Sequence, residues 1–337
     1  MGVHSYHAAK VMMSLYFLIT LIFLIPEIKK QKIIIPIAFL GFCLPLLPLI
    51  PWLFQYPDTL TDQVRYTGLY DTKLSPLEGI KTLFTWQNLT SKVSIFISYF
   101  NPNFLFFTGD LSLIHSTREV GIFLLSYIVL IPLGIIKILK EQNKRFGLLF
   151  IVGFLTSPIA PVLVGNQYRV SKELVILPFA AIIATYGIKF LLSFNQKLLK
   201  IFCILLIMAI LLQFTFFLND YFGNYRARSY GWFNYHIPGS LEAILDKEKK
   251  KPINNIYLDN QVYFIDRYWK FYLIKYKKEE LLLKTFYINP KQVDATDLPS
   301  GSLLHFRFDH QPLSLPSNLQ SIPEPDGSDS FFIIYAQ

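Results

Sequence analysis

Apolar residues dominate six stretches of the chain: Val11 to Pro26, Ile33 to Gln55, Gly121 to Leu139, Phe146 to Gly165, Lys172 to Ser193 and Ile201 to Leu218. Runs of this length with few charges predict membrane-spanning helices, because in lipid a backbone must satisfy its own hydrogen bonds. Between the second and third runs lies a loop, residues 56–120, too long for a plain connection. Within it Leu77, Ile80, Phe84, Val93, Phe96, Ile97 and Phe100 recur at helical spacing and predict amphipathic helix on the membrane surface. The loop continues into Tyr99-Phe100-Asn101-Pro102-Asn103-Phe104-Leu105-Phe106-Phe107-Thr108-Gly109-Asp110. This apolar run, broken by Pro and Gly, is expected to fold back at the membrane boundary.

Beyond Asn219 the period changes. A helix near Leu241 to Lys251, a strand at Asn255 to Leu258, a helical run from Val262 to Tyr276 and a strand at Leu303 to Phe308 predict a small α/β domain. Ile322 with Phe331 to Tyr335 reads as a closing hairpin about the turn Pro325-Asp326-Gly327-Ser328. The expected fold is mainly α: a polytopic bundle of about six membrane helices in residues 1–218 and an extracytoplasmic α/β domain in residues 219–337.

Composition agrees with the pattern. A chain that is 53% hydrophobic and 16% charged, with mean hydropathy +0.38, needs lipid as part of its solvent. Its net charge of +9 would suit nucleic acid, but many lysines flank apolar runs, as topology signals do, so no nucleic-acid partner is expected. Lys29, Lys30 and Lys32 follow the first run, Lys137, Lys140, Lys144 and Arg145 the third, and Lys189, Lys197 and Lys200 the fifth. With those loops cytoplasmic, the N-terminus, residues 56–120, Asn166 to Ser171 and everything after Asn219 lie outside a plasma membrane. An external N-terminus without a cleavable leader raises the expectation of further helices upstream.

Candidate chemistry is sparse. No glycine-rich phosphate loop, paired-cysteine metal spacing, His-Glu-x-x-His or Gly-x-Ser-x-Gly motif is present, and the apolar runs carry no charge near their middles, which disfavours a proton-coupled transporter. The prolines of the second run, Pro36, Pro45, Pro48 and Pro51, read as kinks. Cys43 and Cys203 sit inside apolar runs and predict no disulfide framework. His4 and His7 lie at helical spacing but lack a third ligand, so no metal or other cofactor is expected. Asn88-Leu89-Thr90 matches a sequon that chance also produces, and Asp58, Asp62 and Asp71 read first as solvated loop carboxylates. Arg169, with Lys172 and Glu173, stands at the external end of the fifth run, where a cation meets phosphate at headgroup depth.

Taken in order, Ser5-Tyr6-His7-Ala8-Ala9-Lys10, the Asn101 to Asp110 segment with His115-Ser116, Arg169 before Leu177-Pro178, Tyr225 to Tyr235 with Gly231-Trp232, and Ile322 to Ile333 resemble one family. The chain resembles bacterial GT-C glycosyltransferases of the branch related to protein mannosyltransferases and lipid A aminoarabinose transferases, with Lys10 where that family carries Arg. The resemblance implies transfer of a sugar from a polyprenyl-phosphate donor to an acceptor at the outer membrane face. It implies substrate-binding roles for Arg169 and Lys172 at the lipid phosphate, for His115 and Arg118 along the lipid or acceptor groove, and for Asp58 or Asp110 at polar groups. The family's acidic catalytic loop has no match here. The expectation is therefore a chain that lacks a catalytic N-terminal module, is inactive alone, and partners such a module. The alternative is a non-catalytic membrane module that binds a lipid-linked sugar or a partner subunit.

Overall fold

The apolar runs become helices wherever proline and side-chain crowding leave the backbone ladder intact. In the computed structural model, which describes residues 7–30, 32–142, 144–316 and 319–336, the chain is mainly helical and divides into two units, Met1–Leu218 and Asn219–Gln337. His4 lies outside the described residues, and with it the pairing of His4 with His7.

The first unit opens with α1 (His7–Lys30). The proline-rich second run splits into α2 (Ile34–Cys43) and α3 (Leu49–Gln55) around a tighter turn at Leu44–Leu46, where Pro45 and Pro48 supply no amide hydrogen. The long loop holds α4 (Thr59–Thr67), α5 (Pro76–Leu83) and α6 (Trp86–Ser98). A capping box starts α5: the Glu78 amide donates to Ser75 Oγ, and the Ser75 amide donates back to the Glu78 carboxylate at 3.1 Å. Contacts that tie this loop to the helices include Lys10 Nζ donating to Gln63 Oε1 at 2.9 Å and Lys92 Nζ donating to the Leu163 carbonyl at 2.7 Å.

Next come α7 (Tyr127–Lys140), α8 (Arg145–Thr156), α9 (Ile159–Leu163), α10 (Val170–Glu173), α11 (Ile176–Leu192) and α12 (Lys197–Phe222). Four stretches are long and apolar enough to cross a membrane: Ala9–Pro26, Ile34–Gln55, Arg145–Leu163 and Lys197–Phe222. The other two expected spans are shorter helices. Residues 121–126 stay out of α7 because the Phe123 amide is used by the Leu105 carbonyl at 2.8 Å, which leaves 14 helical residues. The fifth run breaks after Glu173 and gives the 17-residue α11. At about 1.5 Å per residue these helices are ~21 and ~26 Å long, short of the ~30 Å hydrocarbon core.

α7 and α11 lie backbone to backbone. A Cβ on Gly134 would come within 1.9 Å of the Ile183 carbonyl oxygen, and one on Gly187 within 2.2 Å of the Leu130 carbonyl oxygen. Around this contact Leu130, Ile138, Ile176, Ala180 and Ile183 are buried, whereas α12 buries Cys203 alone. A helix apolar on all sides yet exposed along most of its length fits a lipid solvent.

The second unit contains α13 (Tyr225–Ser229), α14 (Ile237–Lys250), β1 (Ile256–Asp259), α15 (Ile265–Tyr276), β2 (Thr285–Ile288), β3 (Leu303–Arg307), β4 (Leu319–Pro323) and β5 (Asp329–Tyr335). The strand order is β2-β1-β3-β5-β4, parallel across β2, β1 and β3 and antiparallel beyond. One sheet face packs on α14 and α15 through Leu241, Ile244, Leu258, Trp269, Leu303 and Phe331. Trp269 has no exposed surface and its indole donates to Thr285 Oγ1 at 2.9 Å, so its polar edge is satisfied. His305 is also fully buried. The Ser240 hydroxyl already donates to the Ile237 carbonyl, so the imidazole donates to Ser240 Oγ through Nε2 at 2.8 Å and is held neutral, its pKa pulled down to about 3 by desolvation.

Candidate functional site

The Tyr99 to Asp110 segment is built so that its rings go inward. After α6 ends, Asn101 Oδ1 accepts the Asn103 amide at 2.9 Å and starts a six-residue wide turn at Asn103–Thr108. Tyr99, Phe104 and Leu105 are buried there, and Phe104 packs edge-on against Tyr99 and beside Tyr168. Gly109 ends the turn at φ +65°, and a Cβ there would press within 2.8 Å of Ser116 Oγ. The chain is thereby turned so that Asp110 points inward with only 1% of its surface exposed.

Asp110 is the hinge of the site. Its Oδ1 accepts the Ser112 amide at 2.8 Å, its Oδ2 accepts the Val170 amide at 3.0 Å, and Arg169 Nη1 stands 3.9 Å away. The two charged residues picked separately from the sequence thus meet across 59 positions of chain, residues 110 and 169. Arg169 keeps 46% of its side chain exposed, so its charge is presented rather than consumed. Tyr99 secures the backbone below it: its hydroxyl donates to the Asn166 carbonyl at 2.9 Å and accepts the Arg169 amide at 3.2 Å. Burial raises the Tyr99 phenol above its ordinary range, so it remains a donor.

Lys172 joins the cluster through the Asn166 side chain, to which its ammonium donates. It stands in α10, at the start of the fifth apolar run and ahead of α11. Two cations three positions apart in one short connection make a place for a multiply charged anion. Tyr168, between Gly165 at φ +70° and Arg169, has φ +51°, a conformation costly for a ring-bearing residue and frequent at binding sites. Beside it an open groove of about 490 Å³ is lined by Ile97, Phe100, Pro102 and Tyr168 together with the polar Ser94, Ser98 and Asn101.

The remaining expected site residues stand elsewhere. Asp58 precedes α4 on an exposed turn, and Asp62 pairs with Arg65 at 3.1 Å on the same helix. His115 and Arg118 are exposed in the loop that follows Asp110, with Arg118 at φ +62° and its amide held by Ser116 Oγ at 3.0 Å. They share that loop with Asp110. The structure also brings in Tyr99, Asn166 and Glu173. Both Glu173 carboxyl oxygens are buried without a hydrogen-bond partner among the described residues, because nearby Ser157 gives its hydroxyl hydrogen to the Phe154 carbonyl. An isolated buried carboxyl of this kind has no sequence signature beyond its position in the Arg169 to Glu173 stretch.

Among the described residues no group of three or more His, Cys, Asp or Glu side chains converges as a metal site would require. No family model, curated protein or solved structure matches the chain.

Proposed function

We propose that the chain serves a membrane glycosyltransferase that uses polyprenyl-phosphate sugars, and that the Asp110–Arg169–Lys172 connection holds the lipid phosphate. In this reading the six apolar runs cross a plasma membrane, α7 and α11 doing so as a packed pair. The 56–120 loop, the Asn166 to Ser171 connection and the C-terminal domain then face outward. One observation carries the reading: two cations, one of them half-exposed beside a buried carboxylate, share a connection with Tyr168, which lines an open groove with Ile97, Phe100 and Pro102, and this connection follows a membrane-length helical stretch. A phosphate needs the cations, and a hydrocarbon chain attached to it needs the groove. As the sugar leaves, negative charge grows on the phosphate, and Arg169 with Lys172 would stabilise it.

Purified full-length protein in nanodiscs, titrated with a polyprenyl phosphate and separately with inorganic phosphate, tests this. Lipid phosphate should bind, and Arg169→Ala should weaken it about tenfold or more, the loss of one charge-assisted contact of ~1.5–3 kcal/mol. Arg169→Lys should recover part of the loss. Equal binding of inorganic phosphate would remove the groove from the argument, and unchanged affinity in a folded Arg169→Ala protein would remove the arginine.

A further inference from the structure

The C-terminal unit contains a second cleft, of about 800 Å³, which the phosphate-binding reading does not use. Its wall is the Ala227 to Tyr235 segment, its floor is Phe308 just after β3, and its rim is Ser328 and Asp329 at the start of β5. Two of the segments singled out in the sequence, around Gly231-Trp232 and around Pro325-Asp326-Gly327, therefore converge on one cavity, whose size is within the ~300–1,000 Å³ of small-molecule sites.

The lining combines flat apolar faces with hydrogen-bonding groups. Tyr230, Trp232, Tyr235 and Phe308 supply four rings. Tyr235 sits at φ +62°, with its amide held by the Tyr230 carbonyl at 3.0 Å and its ring 5.6 Å from Phe308 and 5.2 Å from the Arg307 guanidinium. Trp232 is 46% exposed. Between the rings, Ser328 Oγ reaches the Tyr230 hydroxyl at 3.3 Å, Asp329 accepts the Ser321 hydroxyl at 2.8 Å, and Arg228 is fixed by a two-point pair with Asp220 at 2.7 and 2.8 Å.

The floor is rigid. The Arg307 amide and His310 Nδ1 both meet the buried Asp259 carboxylate, at 3.3 and 2.6 Å, which fastens the Phe308 turn to the end of β1. Asp259 and Arg307 close the neighbouring parallel strands β1 and β3.

We propose that this cleft binds an uncharged pyranose saccharide. A pyranose offers C–H faces that stack on aromatic rings and a rim of hydroxyls that both donate and accept, which matches four rings interleaved with a carboxylate, a guanidinium and hydroxyls. An anionic ligand would face Asp329 and an arginine already neutralised by Asp220, and a bare acyl chain would strand these polar groups. The proposal stands on the C-terminal unit alone and does not depend on the phosphate-binding reading.

The test uses the full chain in nanodiscs and saturation-transfer NMR with maltotriose, mannotriose and chitotriose, each also competed against an excess of polyprenyl phosphate. At least one trisaccharide should show saturable transfer, strongest at the ring C–H protons of one face. Trp232→Ala and Tyr235→Ala should each weaken it fivefold or more, and Asp329→Asn, on the exposed rim, should weaken it at least twofold with folding unaffected. Arg169→Ala and lipid-phosphate competition should leave it unchanged. No saturable transfer from any of the three sugars, equal transfer in the Trp232 and Asp329 variants, or displacement by polyprenyl phosphate would each overturn the proposal.

Discussion

Replacing Asp110 separates two roles that the structure assigns to one carboxylate. Its two oxygens accept backbone amides, from Ser112 at 2.8 Å and Val170 at 3.0 Å, while Arg169 Nη1 stays at 3.9 Å, beyond hydrogen-bonding distance. Each charge-assisted amide contact is worth about 1.5–3 kcal/mol when lost, because the buried donor is left without a partner. Asp110→Ala should therefore destabilise the first unit by about 3–6 kcal/mol. The ion pair is different: with the Arg169 side chain 46% exposed, solvent screening holds its contribution to roughly 0.5–1 kcal/mol. Arg169→Ala alone should cost less than about 1 kcal/mol, and the coupling between the two substitutions should stay below that value. The assay is a double-mutant cycle of reversible unfolding in mixed micelles, followed by circular dichroism. A coupling of about 2 kcal/mol or more would make Asp110 chiefly the arginine's partner. A cost below ~1 kcal/mol for Asp110→Ala would show that the two amides find other acceptors.

Two further outcomes are expected. With Cys43 and Cys203 replaced, single cysteines at the exposed positions Lys81 and Lys291 should both react with an impermeant thiol reagent on intact cells, and labelling of only one would overturn the proposed topology. His305, whose folded pKa of about 3 lies below its ordinary 6.5, stabilises the C-terminal domain fully above pH 6.5, and that contribution falls by up to ~1.4 kcal/mol per pH unit as pH drops from 6.5 towards 3. His305→Phe should remove this part of the acid sensitivity when unfolding is followed by Trp269 emission in a background without the other three tryptophans, and an unchanged slope would refute it.

What the sequence revealed depended on how local the physics was. The long apolar stretches were legible because lipid demands an unbroken run, and the β4–β5 hairpin because the turn Pro325-Asp326-Gly327-Ser328 sits between Ile322 and the apolar run Phe331 to Tyr335. The third and fifth runs read as full spans because composition does not register that the Phe123 amide is diverted to Leu105, or that the backbone breaks between Glu173 and Ile176. Strand β2, Thr285–Ile288, was missed: it is an edge strand with Phe286 and Tyr287 exposed, so it lacks a buried alternation. The short α4 in the loop escaped for a similar reason, its apolar positions being too few to set a period. At the site, Arg169, Lys172 and Asp110 were each visible as charges beside apolar runs, but their meeting was not, since it is made by the turn at Gly109 and the Tyr99 hydroxyl. His115, Arg118 and Asp58 were picked only through the family resemblance, and they stand at exposed positions in loops.

The contact between α7 and α11 also bears on how this protein can diverge. With carbonyl oxygens 1.9 and 2.2 Å from where a first side-chain carbon would sit, Gly134 and Gly187 are closed to drift by single substitutions, since even alanine must push the partner backbone away. Gly41, with nothing within 4 Å, is open to it. Descendants of this sequence should therefore vary freely along the exposed sides of both helices while keeping two glycines opposite each other, and an insertion of one residue in either helix, which would rotate its glycine out of register by about 100°, should be absent among them.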